Sequence, residues 1–437
     1  MTKRKFLKTS GALLTGGVVS HLLADQQRPT ERTNWAGNYT FSTDNLHMPK
    51  TVAEVQEIVK RCDKIRALGA RHSFNAIADS TANQISLKQL QDMTIDTKAH
   101  TVTVGAGVTY GALAPYLYKN GYAVHNLASL PHVSVAGACA TGTHGSGLKN
   151  GNLSTAVSGL EIVKASGDLT AISREQHGEQ FLGAVVGLGA LGIITKVTLD
   201  VQPTFDVSQI VYENMPLQHL RNHFEEIFGS GYSVSLFSDW QNHRATQVWI
   251  KRRMDQNGAK LATQKLHPLA GHSAENCTDQ LGIPGPWFER LPHFKMNFTP
   301  SSGAELQTEY FVPRDKAYQA ILAVEQLRDK ITPHLFITEF RTIDSDSLWI
   351  SEAYKRPAMA IHFTWKPEWP AVKQILPSIE EKLAPFDARP HWAKLFTMQP
   401  KHLQSRYVKL AEFKDMLREY DPKGKFRNAF LDKNLYS

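Results

Sequence analysis

Residues Ala67-Leu68-Gly69-Ala70-Arg71-His72-Ser73-Phe74-Asn75 decide the fold. Ile65 to Leu68 is apolar and strand-like, and it runs through Gly69 into a loop of small and polar residues. Within a few positions this loop offers backbone N–H groups, the Ser73 hydroxyl, the Arg71 guanidinium and the His72 imidazole. Successive N–H groups of this kind form a nest for anionic oxygens such as those of a pyrophosphate. Taken alone, a histidine in a turn is most often only solvated or hydrogen-bonded, so the surrounding chain has to bear on the reading.

Upstream, Thr51 is a helix N-cap with Glu54 three residues on, a capping box, and Val52, Val55, Ile58 and Val59 make the apolar face. Downstream, Ile85 to Leu87 and Thr101 to Val104 are short strands, and Tyr110 to Asn120 is a helix stopped by Gly121. The tract from Asn126 to Gly147 is rich in Gly, Ala, Ser and Thr. It is either a tightly packed loop and helix or a backbone surface that approaches something flat and bulky. Ser166-Gly167-Asp168 is a hairpin turn between two strand-like runs. Gly187-Leu188-Gly189-Ala190-Leu191-Gly192 matches G-x-G-x-x-G, which binds dinucleotides only after a strand and before a helix. Here a helix-like run, Glu179 to Val186, precedes it and a β-branched run, Ile193 to Val201, follows. The reversed order excludes a Rossmann site.

The chain has 437 residues, too many for one ordinary core. Pro203 marks the cut, giving one domain over 41–203 and a second over 204–437. In the second, Ser233 to Phe237 and Thr246 to Lys251 are strands, Asn276 to Pro300 is loop-rich and Ala317 to Lys330 is a helix. Period-2 alternation places Leu335, Ile337, Glu339, Arg341 and Ile343 on one face of a strand. In the run Ala360 to Trp365, His362 and Thr364 share the face opposite Ile361, Phe363 and Trp365. A buried unpaired charge is very costly, so Glu339 and Arg341 must pair, face water or bind a polar ligand.

Composition narrows the function classes. Hydrophobic residues are 42% and charged residues 21%, a globular balance. The net charge of +8 is spread without a long Lys/Arg block or a nucleic-acid motif. Cys62, Cys139 and Cys277 make neither a disulfide framework nor a zinc pattern, and no metal site is expected. Phosphate-loop, H-E-x-x-H, G-x-S-x-G and C-x-x-C signatures are absent. At the N-terminus, Thr2-Lys3-Arg4-Lys5-Phe6-Leu7-Lys8 precedes a mild apolar run ending at Ala24. That run is shorter than the roughly 20 residues a membrane span needs. It reads as a removable export signal over 1–24 of twin-arginine type, with Lys3-Arg4 at the usual Arg-Arg pair, the alternatives being a general-secretory signal or a retained tail, and it is followed by a linker over 25–40. The protein is therefore expected to be handled by the twin-arginine machinery, to be periplasmic or extracellular, and to keep no membrane insertion.

Together these segments resemble the flavin oxidoreductases of the vanillyl-alcohol oxidase type, and within them the alditol (xylitol) oxidases, relatives of the sugar-1,4-lactone oxidases. The resemblance rests on Arg71-His72-Ser73-Phe74-Asn75, Ala128-Ser129-Leu130-Pro131-His132, Ala140-Thr141-Gly142-Thr143-His144-Gly145-Ser146-Gly147, Tyr232 to Phe237, Gly285-Pro286-Trp287, Ser301 to Gln307 and His391-Trp392-Ala393-Lys394, all in one order. It implies an α+β chain: a two-lobed PCMH-type FAD-binding domain, then an α+β cap domain with a mixed or antiparallel sheet, whose end (about 390–437) packs back toward the flavin.

The resemblance further implies that Ala67, Leu68, Gly69, Ala70, Arg71, His72 and Ser73 cradle the FAD, with His72 bonded covalently to the flavin 8α carbon. Ser129, Ser134, Gly137, Thr141, Gly142, Thr143, His144 and Ile194 line the cofactor, and His391 lies near its ring. Substrate contacts fall on Ser129, Gln307, Glu339, Arg341, Thr364 and Lys394, and the catalytic set is Glu339, Arg341, His362 and Lys394. Relatives usually carry Gly-Ser-Gly-His-Ser, so Arg71 replaces a glycine, where it either crowds the backbone or adds charge beside the phosphates. The implied reaction oxidises the C1 hydroxyl of a polyol such as xylitol or sorbitol to an aldose. A hydride passes to flavin N5, and dioxygen is reduced to hydrogen peroxide. The competing readings are a sugar-1,4-lactone oxidase or dehydrogenase using another acceptor, and a non-catalytic exported sugar-binding protein.

Overall fold

The computed structural model describes residues 32–254, 264–269, 271–296 and 305–437. The export segment 1–24 and the first part of the 25–40 linker lie outside the described residues. The rest of that linker is a correction: residues 33–40 are packed structure. Asn34 and Ala36 are only 4% and 3% exposed, and Thr33 bridges to Thr40. Hydrogen bonding is the reason. Trp35 N donates to Arg71 O at 2.7 Å and Asn34 Nδ2 to Ser73 O at 2.8 Å, so this segment straps the His72 loop.

The first half holds a small parallel sheet in the order Leu46–His47, Gln84–Ile85, Arg66–Ala67. Beside it is a five-stranded antiparallel sheet: Met93–Asp96, Thr101–Gly105, Ile193–Asp200, Val157–Val163, Leu169–Ser173. The helix Val52–Arg61 buries Val55, Ile58 and Val59, each worth about 2 kcal/mol. Thr51 Oγ1 accepts from Glu54 N, while Glu54 reaches one residue beyond the usual capping box, to Lys50 N at 2.8 Å. Gly187–Gly192 joins the helix Arg174–Val185 to the strand Ile193–Asp200, the order that excludes a dinucleotide turn. Two of its carbonyls, Leu188 O and Gly189 O, serve the buried Arg66 instead, whose guanidinium also donates to Ile77 O and Phe426 O.

The second half is built on an eight-stranded sheet, antiparallel throughout: Gly285–Pro286, Asp206–Pro216, Arg244–Arg253, Ser233–Ser238, Leu335–Ile343, Ala358–Trp365, Leu306–Pro313, Arg389–Pro390. One face lies on a core with the helices Ala317–Glu325 and Trp369–Leu383. The helix expected to run to Lys330 ends at Glu325 and a separate turn, Arg328–Ile331, follows. A register shift between Leu335 and Ile337 corrects the alternation: Leu335 pairs with Trp365 and joins the helix-side core. The polar row therefore begins at Ile337, because one extra residue in a strand reverses the faces before it.

Thr33–Ser437 form one compact unit with two large cores. One core gathers side chains from Val55 to Val207, a few from Trp287 to Leu291 and Leu348 to Ile350, and many again from Trp392 to Leu435, so the C-terminal stretch returns to the first half. The three cysteines are free and buried. Among the described residues, no helix is long and apolar enough to cross a membrane.

Candidate active site

The His72 loop is held from two sides. Its outer carbonyls are tied to Trp35 and Asn34, as described above. On the other side Phe74 N donates to Ala393 O at 2.7 Å, and Asn75 Nδ2 donates to Trp392 O and Lys394 O at 2.8 and 2.7 Å. The amides of Gly69 to Ser73 donate to no protein acceptor among the described residues. The loop crosses the start of the helix Val135–Ala140 so closely that a Cβ on Gly69 or on Gly137 would lie 2.8 Å from Ser134 Oγ. Ser134 makes no capping bond of its own. Open amides, a helix start and a spare hydroxyl in one glycine-lined place fit the diphosphate of FAD.

Arg71 has φ +62°, the left-handed conformation that glycine adopts without strain. Its side chain is exposed, and Nη1 lies 3.4 Å from Thr33 O. The guanidinium thus points outward to the strap, neither crowding the loop nor charging its inner side. His72 stands between Trp35, at 4.7 Å between ring centroids, and His132, whose Nε2 is 3.2 Å from His72 Nδ1. Burial, then Lys394 and the neighbouring histidines, hold His72 well below the usual imidazole range, so it is neutral.

The large sheet turns its other face toward this loop. Cross-strand register sets Glu339 opposite His362, and His362 opposite Glu309. The row beside it is Arg341, Ala360, Phe311, and the row on the other side is Ile337, Thr364, Gln307. Ala360 is small, so Arg341 reaches across it: Nη2 donates to Glu309 Oε1 at 2.7 Å, and Nε lies 3.6 Å from Glu339 Oε1. The next segment continues the sheet, with His391 N bonded to Glu309 O and Leu395 N to Gln307 O. This brings Lys394 Nζ onto Gln307 Oε1, whose amide donates in turn to Glu305.

Electrostatics follow from burial and pairing. Burial alone would raise Glu339 and Glu309, but Arg341 and the adjoining histidines outweigh it and hold both well below the usual carboxylate range. Burial brings His362 down to about 4 and Lys394 down to about 8. At neutral pH the site therefore holds two carboxylates, a guanidinium, a mostly charged ammonium and a neutral imidazole. His362 Nδ1 is 3.4 Å from Glu309 Oε2 and Nε2 is 3.2 Å from Thr364 Oγ1. With the proton on Nδ1, Nε2 offers a lone pair to the site.

Ser129 Oγ is 3.5 Å from Arg341 Nη1, which joins it to the polar rows with Gln307, Thr364 and Lys394. Ser134 and Gly137 meet the His72 loop. Thr141 Oγ1 is spent on Gly137 O and lies 3.4 Å from Thr143 Oγ1. Gly142, at φ +69°, backs onto Glu352. His144 reaches across to the sheet, its Nε2 3.0 Å from Glu309 Oε1 and its ring 6.1 Å from that of His391. Ile194 lies on the strand Ile193–Asp200, against which the helix Val135–Ala140 packs. The residues missed from sequence are Glu309, His293 and Lys251. Alternation in Gln307-Thr308-Glu309-Tyr310-Phe311 would have found Glu309. The other two meet the site only through tertiary contacts.

Comparison with known proteins gives the family. The FAD binding domain family matches residues 44–173 and the D-arabinono-1,4-lactone oxidase family matches residues 301–434. The crystal structure of cholesterol oxidase from B. sterolicum superposes with a TM-score of 0.77 over 92% of this chain and 96% of that one, at 16% identity, and shares the fold. L-gulonolactone oxidase of Mus musculus is 26% identical over 92% of this chain and 98% of its own length. Alditol oxidase of a Streptomyces species is 46% identical over 92% of this chain and 98% of its own. With that identity along nearly its whole length, this chain belongs to the alditol oxidase family of FAD-binding oxidoreductases.

Proposed function

We propose that this protein oxidises the terminal hydroxyl of a polyol, with xylitol and sorbitol as the natural candidates, using FAD and dioxygen. The observation that carries the reading is the polar face formed by Glu339, Arg341, His362, Thr364 and Gln307, with His362 and the adjoining Lys394 in electrostatic reach of His72. Such a face suits a ligand made almost wholly of hydroxyl groups. The alditol oxidase relative supports the same substrate class.

FAD, when bound, takes up the hydride and passes the electrons to dioxygen, so that R–CH2OH and O2 become R–CHO and H2O2. The protein binds, orients and tunes. Gly69 to Ser73, Ser134 and Gly137 hold the diphosphate, and Ser129 and Gln307 share hydrogen bonds with the polyol. Glu339 accepts from a hydroxyl, and Arg341 and Lys394 stabilise negative charge that grows on the reacting oxygen. His362 Nε2 accepts the hydroxyl proton, and Glu309 beside Nδ1 favours the imidazolium that results.

Two finer readings belong with this one. His72, neutral and flanked by His132, is the side chain that would attach FAD covalently. The basic head and mild apolar run at 1–24 support export to the periplasm or beyond by the twin-arginine route.

The test is anaerobic mixing with xylitol or sorbitol, followed by air. Bleaching of the flavin band and then stoichiometric hydrogen peroxide is the expected result. Bleaching by L-gulono-1,4-lactone and by no polyol would move the assignment to the lactone oxidases, which the D-arabinono-1,4-lactone oxidase match keeps in view. Protein that stays colourless with ample flavin would favour a binding protein. Acid-precipitated protein should stay yellow, and His72→Ala should lose that colour.

A further inference from the structure

Lys251 is only 1% exposed, an unusual place for an ammonium. It lies on the strand Arg244–Arg253, in register with Ser233 of the neighbouring strand, on the site side of the sheet. Its Nζ donates to Leu291 O, to Pro292 O and to His293 Nδ1, the last two at 3.1 and 3.2 Å. When protonated, its ammonium has three N–H groups, and all three are engaged here. An imidazole that accepts at Nδ1 carries its proton on Nε2. His293 Nε2 stands 2.8 Å from Glu339 Oε1, so that proton goes to the carboxylate.

The imidazole is fixed in other ways too. Phe237 and Trp249 meet it edge-on, at 5.5 and 5.3 Å between ring centroids. His293 N lies 3.3 Å from Ser129 O. One histidine therefore touches the backbone of Ser129 and the side chain of Glu339, two groups assigned to the substrate. Glu339 Oε1 is taken by His293, with Arg341 Nε at 3.6 Å, whereas Oε2 has no protein partner among the described residues.

We infer that Lys251 and His293 are a positioning pair that presents Glu339 to the substrate with Oε1 held and Oε2 free to accept a hydroxyl hydrogen. The inference rests on the polyol reading above. Neither residue touches the substrate; both act through Glu339. A carboxylate held in this way strengthens binding of the ground state and of the transition state alike, so its loss is read in KM more than in kcat.

The experiment compares His293→Gln and His293→Asn in the FAD-loaded enzyme, with xylitol varied under air. Glutamine keeps an N–H donor near the ε position, whereas asparagine places its amide one bond short. The expected result is a KM within about threefold of wild type for His293→Gln and a rise of about tenfold or more for His293→Asn. In both, kcat should stay within about threefold and flavin content should not change. Equal KM values for the two variants, or a His293→Asn value within twofold of wild type, would overturn the pair. Lys251→Met should raise KM at least threefold because the ring loses its anchor, and an unchanged KM would remove Lys251 from the pair. Should His293→Asn fail to fold, His293→Gln and Lys251→Met still decide. A wild-type protein that no polyol reduces would sink the functional reading instead, and the two failures are distinguishable.

Discussion

Lys394 gives the sharpest test of how the site works. Burial brings its ammonium down to about 8, whereas His72, His391 and His362 are all held below the ordinary imidazole value and His362 lies at about 4. At saturating polyol, the limiting rate of anaerobic flavin reduction should therefore respond to Lys394 across pH 6 to 10. With a pKa of about 8, roughly nine-tenths of the lysine is charged at pH 7 and roughly one-tenth at pH 9. If the cation stabilises charge growing on the substrate oxygen, the rate should fall about tenfold between those two values. Lys394→Met removes the cation at every pH. Loss of one preorganised donor of this kind costs about 100-fold, or about 2.7 kcal/mol. The variant should be slow and flat from pH 7 to 9. Stopped-flow absorbance at the flavin band measures both. A rate that rises through pH 8 would make Lys394 the proton acceptor and displace His362 from that role. An inflection near 8 that survives in Lys394→Met would show that another group titrates there. Lys251, pushed down to about 7 by burial, is kept apart because its effect is expected in substrate affinity and vanishes at saturation.

Two further outcomes concern the loop and its support. Arg66 is 3% exposed and donates to four main-chain carbonyls drawn from three distant segments, so Arg66→Met should cost about 4 kcal/mol as those acceptors lose their donor; a loss below about 1 kcal/mol in urea unfolding followed by tryptophan fluorescence would contradict the burial argument. Arg71→Gly relieves a left-handed backbone worth about 1 kcal/mol but adds freedom to the unfolded chain, for a net gain of at most about 0.5 kcal/mol. Flavin content should be unchanged, and a loss of flavin in that variant would mean that the guanidinium serves the cofactor after all.

Much of the site was legible in the sequence because it is built on strands and on a glycine-marked loop. Strand periodicity is strict, so Glu339 with Arg341, and His362 with Thr364, could be assigned to shared faces without any knowledge of their neighbours. The loop at Gly69 and the reversed order around Gly187–Gly192 were equally local. The bulge at Phe336 was not, since an extra residue appears only when the partner strand is in place. For the same reason nothing local shows that Arg71 turns outward: its direction is set by the strap at 33–40, which composition alone marks as linker.

The sequence by itself determined the α+β class, the glycine-marked loop at 67–75, the small-residue tract and which side chains each strand turns to one face. Only the tertiary structure decided which faces meet. Arg341 finds Glu309 across a small Ala360, His144 crosses to that same carboxylate, and Lys251 reaches Glu339 through His293. Those pairings depend on register between strands far apart in the chain and on the cost of leaving any buried charge unpaired, and neither is written in a local pattern of residues.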